Sequence, residues 1–193
     1  MNPREQAATP VEEAEIGLVQ RLRGLRHHPA VKAAEPLSKM ADQPPMIALS
    51  AGVAVLGLAL GRPRVAEVGA RMLASVLLAT AIKTVVKKTV TRTRPHVVLD
   101  RGRYAAEPGG SDDKGEQSFP SGHTADAVSA ARAAARAFPP AAAPAYGLAA
   151  GVAVLQPAAA KHFPTDVAAG ALVGLAAEWL VDRGVRALSA SGR

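Results

Sequence analysis

The feature that most restricts what this chain can fold into is a run without a single charge. Residues 43–61, "QPPMIALSAGVAVLGLALG", come close to the roughly 20 apolar residues a helix needs to cross a bilayer. More apolar stretches follow. "VAEVGARMLASVLLATAIKT" is interrupted by Glu67 and Arg71, both near its start, where long side chains can snorkel. Residues 137–160 are uncharged but contain Pro139, Pro140, Pro144 and Pro157, so the expected helix begins near Pro144 and stops before Pro157. The last stretch, 167–181, carries Glu178 near its end. "HTADAVSAARAAARAF" is Ala-rich and helical by propensity, with Arg132 and Arg136 making it amphipathic. Strand-like alternation is scarce and no internal repeat is visible. The expected fold class is all-α: a membrane-embedded helical bundle of about five apolar helices plus an N-terminal amphipathic helix. Each span alone would also suit the core of a soluble bundle. The length of the uncharged first span, with several others behind it, favours the membrane.

The organisation expected along the chain is a polar N-terminal segment over 1–42, a helical membrane domain over 43–183, and a C-terminal tail over 184–193. In the N-terminal segment "VEEAEIGLVQRLRGLRHH" has helical spacing of Ile16, Leu18, Val19, Leu22 and Leu25. Such a helix suits a membrane surface or packing against the domain equally well. The start, "MNPREQAATPVEEAE", lacks the apolar core of a cleavable signal peptide, and none is expected. A polar loop over about 88–120 includes "AEPGGSDDKGEQ", which cannot sit in hydrocarbon. The pair His27 and His28 would matter as a metal-site fragment only if other ligands converged on it. The 23 Lys+Arg outweigh 16 Asp+Glu, for a net charge of +7, which suits anionic partners. With 3% aromatics and no basic stripe bearing stacking residues, nucleic acid is not an expected partner. Cysteine is absent, which removes disulfides, thiolate metal sites and cysteine nucleophiles.

Three short motifs flank the polar loop and the last helix. In "KKTVTRTRP", six residues separate Lys87 from Arg94, which Pro95 follows. "PSGH" is Pro120 to His123, and in "KHFPTD" three residues separate His162 from Asp166. Taken singly, each has an ordinary explanation: a juxtamembrane basic cluster, a turn with a helix cap, and a helix N-terminus. Taken together they suit a phosphate dianion. Lys87 and Arg94 offer a point charge and a planar fork. Ser121 supplies a hydroxyl, Gly122 a closely approaching backbone, and the helix that follows its unpaired N–H groups. His123 can give a proton to a leaving oxygen. A carboxylate at Asp166 can fix the tautomer of His162 and free its second nitrogen for attack.

At these residues the chain resembles the type 2 phosphatidic acid phosphatase family, which shares a fold with vanadium haloperoxidases. The family pattern is K-x6-R-P, then P-S-G-H, then S-R-x5-H-x3-D, and the match spans roughly residues 80–182. The resemblance implies that His162 is the nucleophile that forms a phosphohistidine, oriented by Asp166, and that His123 is the general acid. It implies that Lys87, Arg94, Ser121 and Gly122 hold the phosphoryl oxygens. It implies no metal ion or other cofactor, and an integral protein of a bacterial cytoplasmic membrane acting on a lipid phosphate or diphosphate. Phosphatidic acid, phosphatidylglycerophosphate and polyprenyl phosphates are all compatible with the motifs.

One position departs from the pattern. Where the family has arginine, six residues before His162, this chain has Gln156. Loss of such a charge-assisted contact costs on the order of 1.5–3 kcal/mol. Lys161, immediately before the nucleophile, is able to restore the charge and equally suits an exposed interfacial position, and Gln156→Arg is expected to raise activity. A catalytically impaired relative that binds anionic lipid is the alternative reading, supported by Gln156 alone. A vanadate-dependent peroxidase is disfavoured by the small size and the membrane-like spans.

Overall fold

The computed structural model of the chain describes residues 6–7 and 9–191. Eight α-helices account for nearly all of its regular structure. α1 (Pro10–Arg21) opens with a capping box, in which Thr9 and Glu12 satisfy each other's backbone N–H groups. α2 (Pro29–Met40) and α3 (Gln43–Ala59) follow, with a bend of 59° between them. α4 (Pro63–Lys87) rises about 37 Å through the bundle. α5 (Pro95–Arg101) is short and closes on Gly102, whose φ of 64° suits a residue without Cβ. α6 (Gly122–Ala137), α7 (Ala142–Ala158) and α8 (Pro164–Ser191) complete the chain.

The apolar helices form a membrane bundle. α4, α8 and the stretch Pro139–Ala158 are each long and apolar enough to cross a bilayer, and α2 with α3 qualifies as one bent span. The outward faces agree. Leu58, Val154 and Leu172 are 72%, 68% and 67% exposed, which for large apolar side chains in a row of helices describes a lipid-facing surface.

Several details differ from the sequence expectation. The uncharged run forms one helix, but α3 is only 17 residues long and qualifies as a span only together with α2, from which the chain bends at Ala41–Asp42, just before the run. Pro157 lies inside the last turn of α7 rather than beyond its end. Lacking an N–H, this proline leaves only the Ala153 carbonyl without its helical donor, while the carbonyls of Leu155, Gln156 and Pro157 accept from the residues that close the turn. α7 also starts two residues before Pro144, at Ala142, after a 3-10 turn. The segment set apart as a tail continues α8 as far as Ser191 without a break at 183. The polar loop carries a small antiparallel pair, β1 (Val90–Arg92) and β2 (Ala106–Pro108), with Thr91 opposite Glu107. His27 and His28 serve local structure. His27 accepts from Arg26 Nε at 2.9 Å, and His28 Nδ1 caps α2 by accepting from Ala30 N.

The Ala-rich helix is the centre of the bundle. α6 packs against α3, α4, α7 and α8, and Ala125, Ala130 and Ala133 on it are 3% exposed or less. Small side chains let neighbouring backbones come close, which is how helices associate where lipid removes the hydrophobic drive. Gly170 and Gly174, one turn apart on α8, are the matching positions. A Cβ at Gly174 would stand 2.6 Å from the Ala125 carbonyl oxygen, and one at Gly170 would strike that of Ser121. Arg132 and Arg136, each half-buried, are engaged in ion pairs. Both bond to Glu178, itself 2% exposed, and Asp182 adds ion pairs to Arg71 and Arg136. This network ties α4, α6 and α8 together away from the motifs.

Gly174→Val is therefore expected to lower the thermal stability of the detergent-solubilised protein by about 2 kcal/mol. Gly147→Ala, at an open position on α7, is expected to leave it unchanged. Melting curves of the two variants check the pair.

Candidate active site

The three motifs meet at one end of the bundle, and the knot that joins them is the short turn Gln117–Ser118. Lys87 Nζ donates to the Gln117 carbonyl at 2.7 Å, and Arg94 Nη2 reaches the same oxygen at 3.4 Å. His162 Nδ1 donates to the Ser118 carbonyl at 2.7 Å. Asp166 accepts from Ser118 Oγ at 2.6 Å, and its own carbonyl accepts from Ser121 N at 3.0 Å. The rings of His123 and His162 lie 6.1 Å apart in an edge-on arrangement.

Each side chain owes its position to local structure. Lys87 ends α4, and Arg94 occupies the N-cap of α5, where Pro95 fixes the first turn. Arg94 N donates to Gly115 O at 2.7 Å, which pulls the far part of the loop over the site. Ser121 is the N-cap of α6, its Oγ accepting from Thr124 N. The N–H groups of Gly122 and His123 then fall in the helix's first turn, where no helical acceptor exists. His162 sits in the joint between α7 and α8. Ala160 just before it is held in the left-handed region at φ 53°, and its carbonyl accepts from His96 N at 2.9 Å. A left-handed alanine costs roughly 1–2 kcal/mol, a strain that the packed joint maintains beside the site.

Asp166 stands 3.9 Å from His162 Nδ1, beyond a hydrogen bond, so the ring's direct acceptor is the Ser118 carbonyl. Asp166 holds the serine that holds the histidine. Its oxygens are filled by Ser118 Oγ, by Phe163 N at 2.8 Å and by Arg92 Nη1 at 2.6 Å. With Nδ1 committed as a donor, Nε2 of His162 is the unprotonated nitrogen. Burial keeps the ring neutral, pushing its pKa well below the usual histidine range, and Arg94, Lys87 and His123 add to that effect.

Arg92, one of the unassigned positions between Lys87 and Arg94, carries the site together with Glu15, Ser118 and Asp42, which lie outside all three motifs. Arg92 is 6% exposed. It bonds Glu15 and Tyr104 as well as Asp166, and its guanidinium lies 4.6 Å from the centre of the Phe163 ring. Burial works against its charge, yet Asp166, Tyr104 and Glu15 hold it above the ordinary arginine range. Glu15 also accepts from Thr165 N and Oγ1, at 2.7 and 2.8 Å. α1 is thereby fixed on the domain, with Ile16 and Val19 packed among Val98, Tyr104 and Phe163. Ser118 was legible two residues before Pro120. Glu15 and Asp42 had no sequence signal, since nothing along the chain links them to the motifs.

Gln156 is fully buried. Its amide donates to Val152 O at 2.9 Å and to Ser38 Oγ on α2 at 3.2 Å. Lys161 Nζ reaches the same hydroxyl at 3.4 Å, and its charge acts on His123. Beneath Gly122, Lys83 Nζ forms a buried ion pair with Asp126. His123 is thus crowded by cations. Burial pushes its pKa down to about 4, Asp42 opposes this, and Lys161, Arg94 and Lys83 reinforce it. Arg94 Nε is a buried donor without a partner. Cations gathered this closely around an unpartnered donor suit an anion. Among the described residues, no three His, Asp or Glu side chains converge as metal ligands.

The family model described as the PAP2 superfamily matches residues 69–189. No curated protein matches the chain. Among solved structures, the fold resembles the crystal structure of Aquifex aeolicus LpxE, with TM-score 0.57 and 18% identity over 85% of this chain and 93% of that one. It also aligns with the transmembrane PAP2-type phosphatidylglycerolphosphate phosphatase from Bacillus subtilis, with TM-score 0.45 and 23% identity over 90% of this chain and 94% of the other.

Two outcomes follow from this geometry. Sulfate stays a dianion across the neutral range, so the pH dependence of its affinity reports the protein's own groups. A bound anion raises the lowered His123 pKa, binding takes up a proton, and affinity is expected to increase as pH falls from 8 to 5. In His123→Gln that dependence flattens; titration calorimetry reads both. Glu15→Ala removes the clamp on Arg92 and Thr165, and any phosphate-transfer rate is expected to fall roughly 10- to 100-fold through misplacement of His162. A steady-state assay with unchanged far-UV circular dichroism checks it.

Proposed function

Because this chain belongs to the PAP2 superfamily, we propose that it is a membrane phosphatase that hydrolyses a lipid phosphate or diphosphate through a phosphohistidine. The observation that carries the reading is the pair of histidines, 6.1 Å apart, with His162 Nε2 left free by the Nδ1 bond to Ser118.

In this mechanism Lys87, Arg94 and the first-turn N–H groups of α6 hold the phosphoryl oxygens. His162 Nε2 attacks phosphorus, forming an N–P bond as the bond to the leaving oxygen breaks, and His123 gives that oxygen a proton. Water then attacks the phosphohistidine. His123, now neutral, takes the water's proton, the N–P bond breaks and phosphate leaves. Asp166 and Arg92 act through Ser118, keeping the ring in one tautomer throughout.

The lipid character of the substrate rests on surroundings rather than on the motifs. An apolar groove of about 170 Å³ runs along α6, walled by Ala127, Ala131 and Ala149 and lipped by Leu37, Met40 and Met46. Ala127 is one helical turn from His123, so a chain attached to a bound phosphate can lie along this groove toward the lipid. Phosphatidic acid, phosphatidylglycerophosphate and polyprenyl phosphates all fit that description. Lys161 supplies charge near the position where Gln156 lacks it, which favours an active enzyme over an impaired lipid-binding relative.

The test is hydrolysis of these lipids in mixed micelles by the purified protein. His162→Ala is expected to lose at least about 10³-fold in kcat and to trap no label from a radioactive phosphate ester in acid-labile, base-stable form. A wild-type protein that binds the lipids without releasing phosphate would instead establish the impaired reading.

A further inference from the structure

Asp42 stands where α3 begins, yet its carboxylate makes no capping bond to that helix. It turns instead to His123, with Oδ1 2.7 Å from Nε2. The residue lies in the bend between α2 and α3, far along the chain from every motif, and the neighbouring Ala41 anchors the bend at 2% exposure. α6 therefore receives at its first turn a carboxylate delivered by a separate element.

The surroundings show why such a delivery matters. Lys83 faces His123 from α4, Arg94 from the start of α5, and Lys161 and His162 from the joint of α7 and α8. All of these are cationic or carry a ring proton, and α6 itself presents its positive end. Asp126, one turn along α6, is consumed by Lys83. Asp42 is the carboxylate left to balance a protonated imidazole. Its bond also settles the geometry of the ring. With Nε2 held, Nδ1 is the nitrogen that remains to meet a phosphoryl group.

We propose that Asp42 is a positioning residue for proton delivery, holding His123 by Nε2–H so that Nδ1–H is the proton given to the leaving oxygen. The proposal rests on the phosphatase reading above. In the first step the Nδ1–H bond breaks as the new O–H bond forms, and the neutral ring keeps its Nε2–H on Asp42. In the second step Nδ1 accepts a proton from the attacking water, which restores the imidazolium. Asp42 itself gains and loses no proton. The arrangement mirrors the other half of the site, where Ser118 holds Nδ1 of His162 and exposes Nε2.

The experiment compares two substrates in the full-length protein. A short-chain phosphatidic acid has an alkoxide leaving group that needs a proton, whereas p-nitrophenyl phosphate has one that does not. In Asp42→Asn, kcat for the alkyl phosphate is expected to fall by at least tenfold, within the range that general acids supply. For the aryl phosphate it should stay within threefold. The sign of the pH effect is fixed. Removing the carboxylate that favours imidazolium lowers the His123 pKa in the complex, so the alkaline limb of the alkyl-phosphate profile moves to lower pH. Asp42→Glu is expected to recover part of both effects. Equal losses on the two substrates with an unmoved profile would overturn the proposal alone. So would a gain in kcat, which would identify Asp42 as an anion competing with substrate. Absence of wild-type turnover on both substrates overturns the phosphatase reading, and the proposal with it.

Discussion

The interaction on which the rest of the site depends is the buried contact between Arg92 and Asp166, 2.6 Å apart with both side chains almost wholly excluded from solvent. Burying two charges repays its desolvation cost only when the remaining donors and acceptors are also satisfied. Here they are. Arg92 spends Nε on Tyr104, Nη1 on Thr165 and Asp166, and Nη2 on Glu15. A planar fork can serve three directions at once, and a lysine could not. The consequence is that α1, β1 and the start of α8 are tied to one another through a single side chain. Asp166 then grips Ser118, and Ser118 grips His162, so the orientation of the reactive ring is inherited from an arginine that never touches it.

Around that frame the charges are distributed unevenly. Among the described residues, the carboxylates beside the two histidines are already paired: Asp166 with Arg92, Asp126 with Lys83, Asp42 with His123. Among the described residues, the cations Lys87 and Arg94 are hydrogen-bonded to a backbone carbonyl, with no carboxylate in contact. Such a site is electrostatically incomplete, and a dianion is the natural complement. The neutral state of both histidines in the absence of an anion is part of the same arrangement, since a bound phosphate raises the basicity of whichever ring faces it.

The bundle contributes by closeness. α6 can bring His123 to the site because its alanines and the glycines of α8 allow the backbones to approach, and Gly170 lies directly against the Ser121 carbonyl at the start of that helix. The Arg132–Glu178 and Arg136–Glu178 pairs anchor the same two helices at the other end. Packing of small residues and the geometry of the phosphate site are therefore one problem, solved on one pair of helices.

Periodicity and the absence of charge determined the helical membrane bundle, because a bilayer admits few alternatives and a long apolar helix is visible one residue at a time. The motif residues were visible for a similar reason: Lys87 with Arg94, Ser121 with His123, and His162 with Asp166 each sit within one or two turns of chain. The placement of α1 was open, since Ile16 and Val19 suit a lipid surface as well as a protein one, and the bonds from Glu15 resolved it. Arg92 looked like one more surface cation among Lys87, Lys88 and Arg94, and the bend at Asp42 was hidden inside a region that composition marks only as polar. Only the tertiary structure decided these, because a bond between Glu15 and Thr165, or between Asp42 and His123, depends on how distant elements dock. Side-chain identity records what a residue is able to bond, while its partner is chosen by the packing of the whole chain.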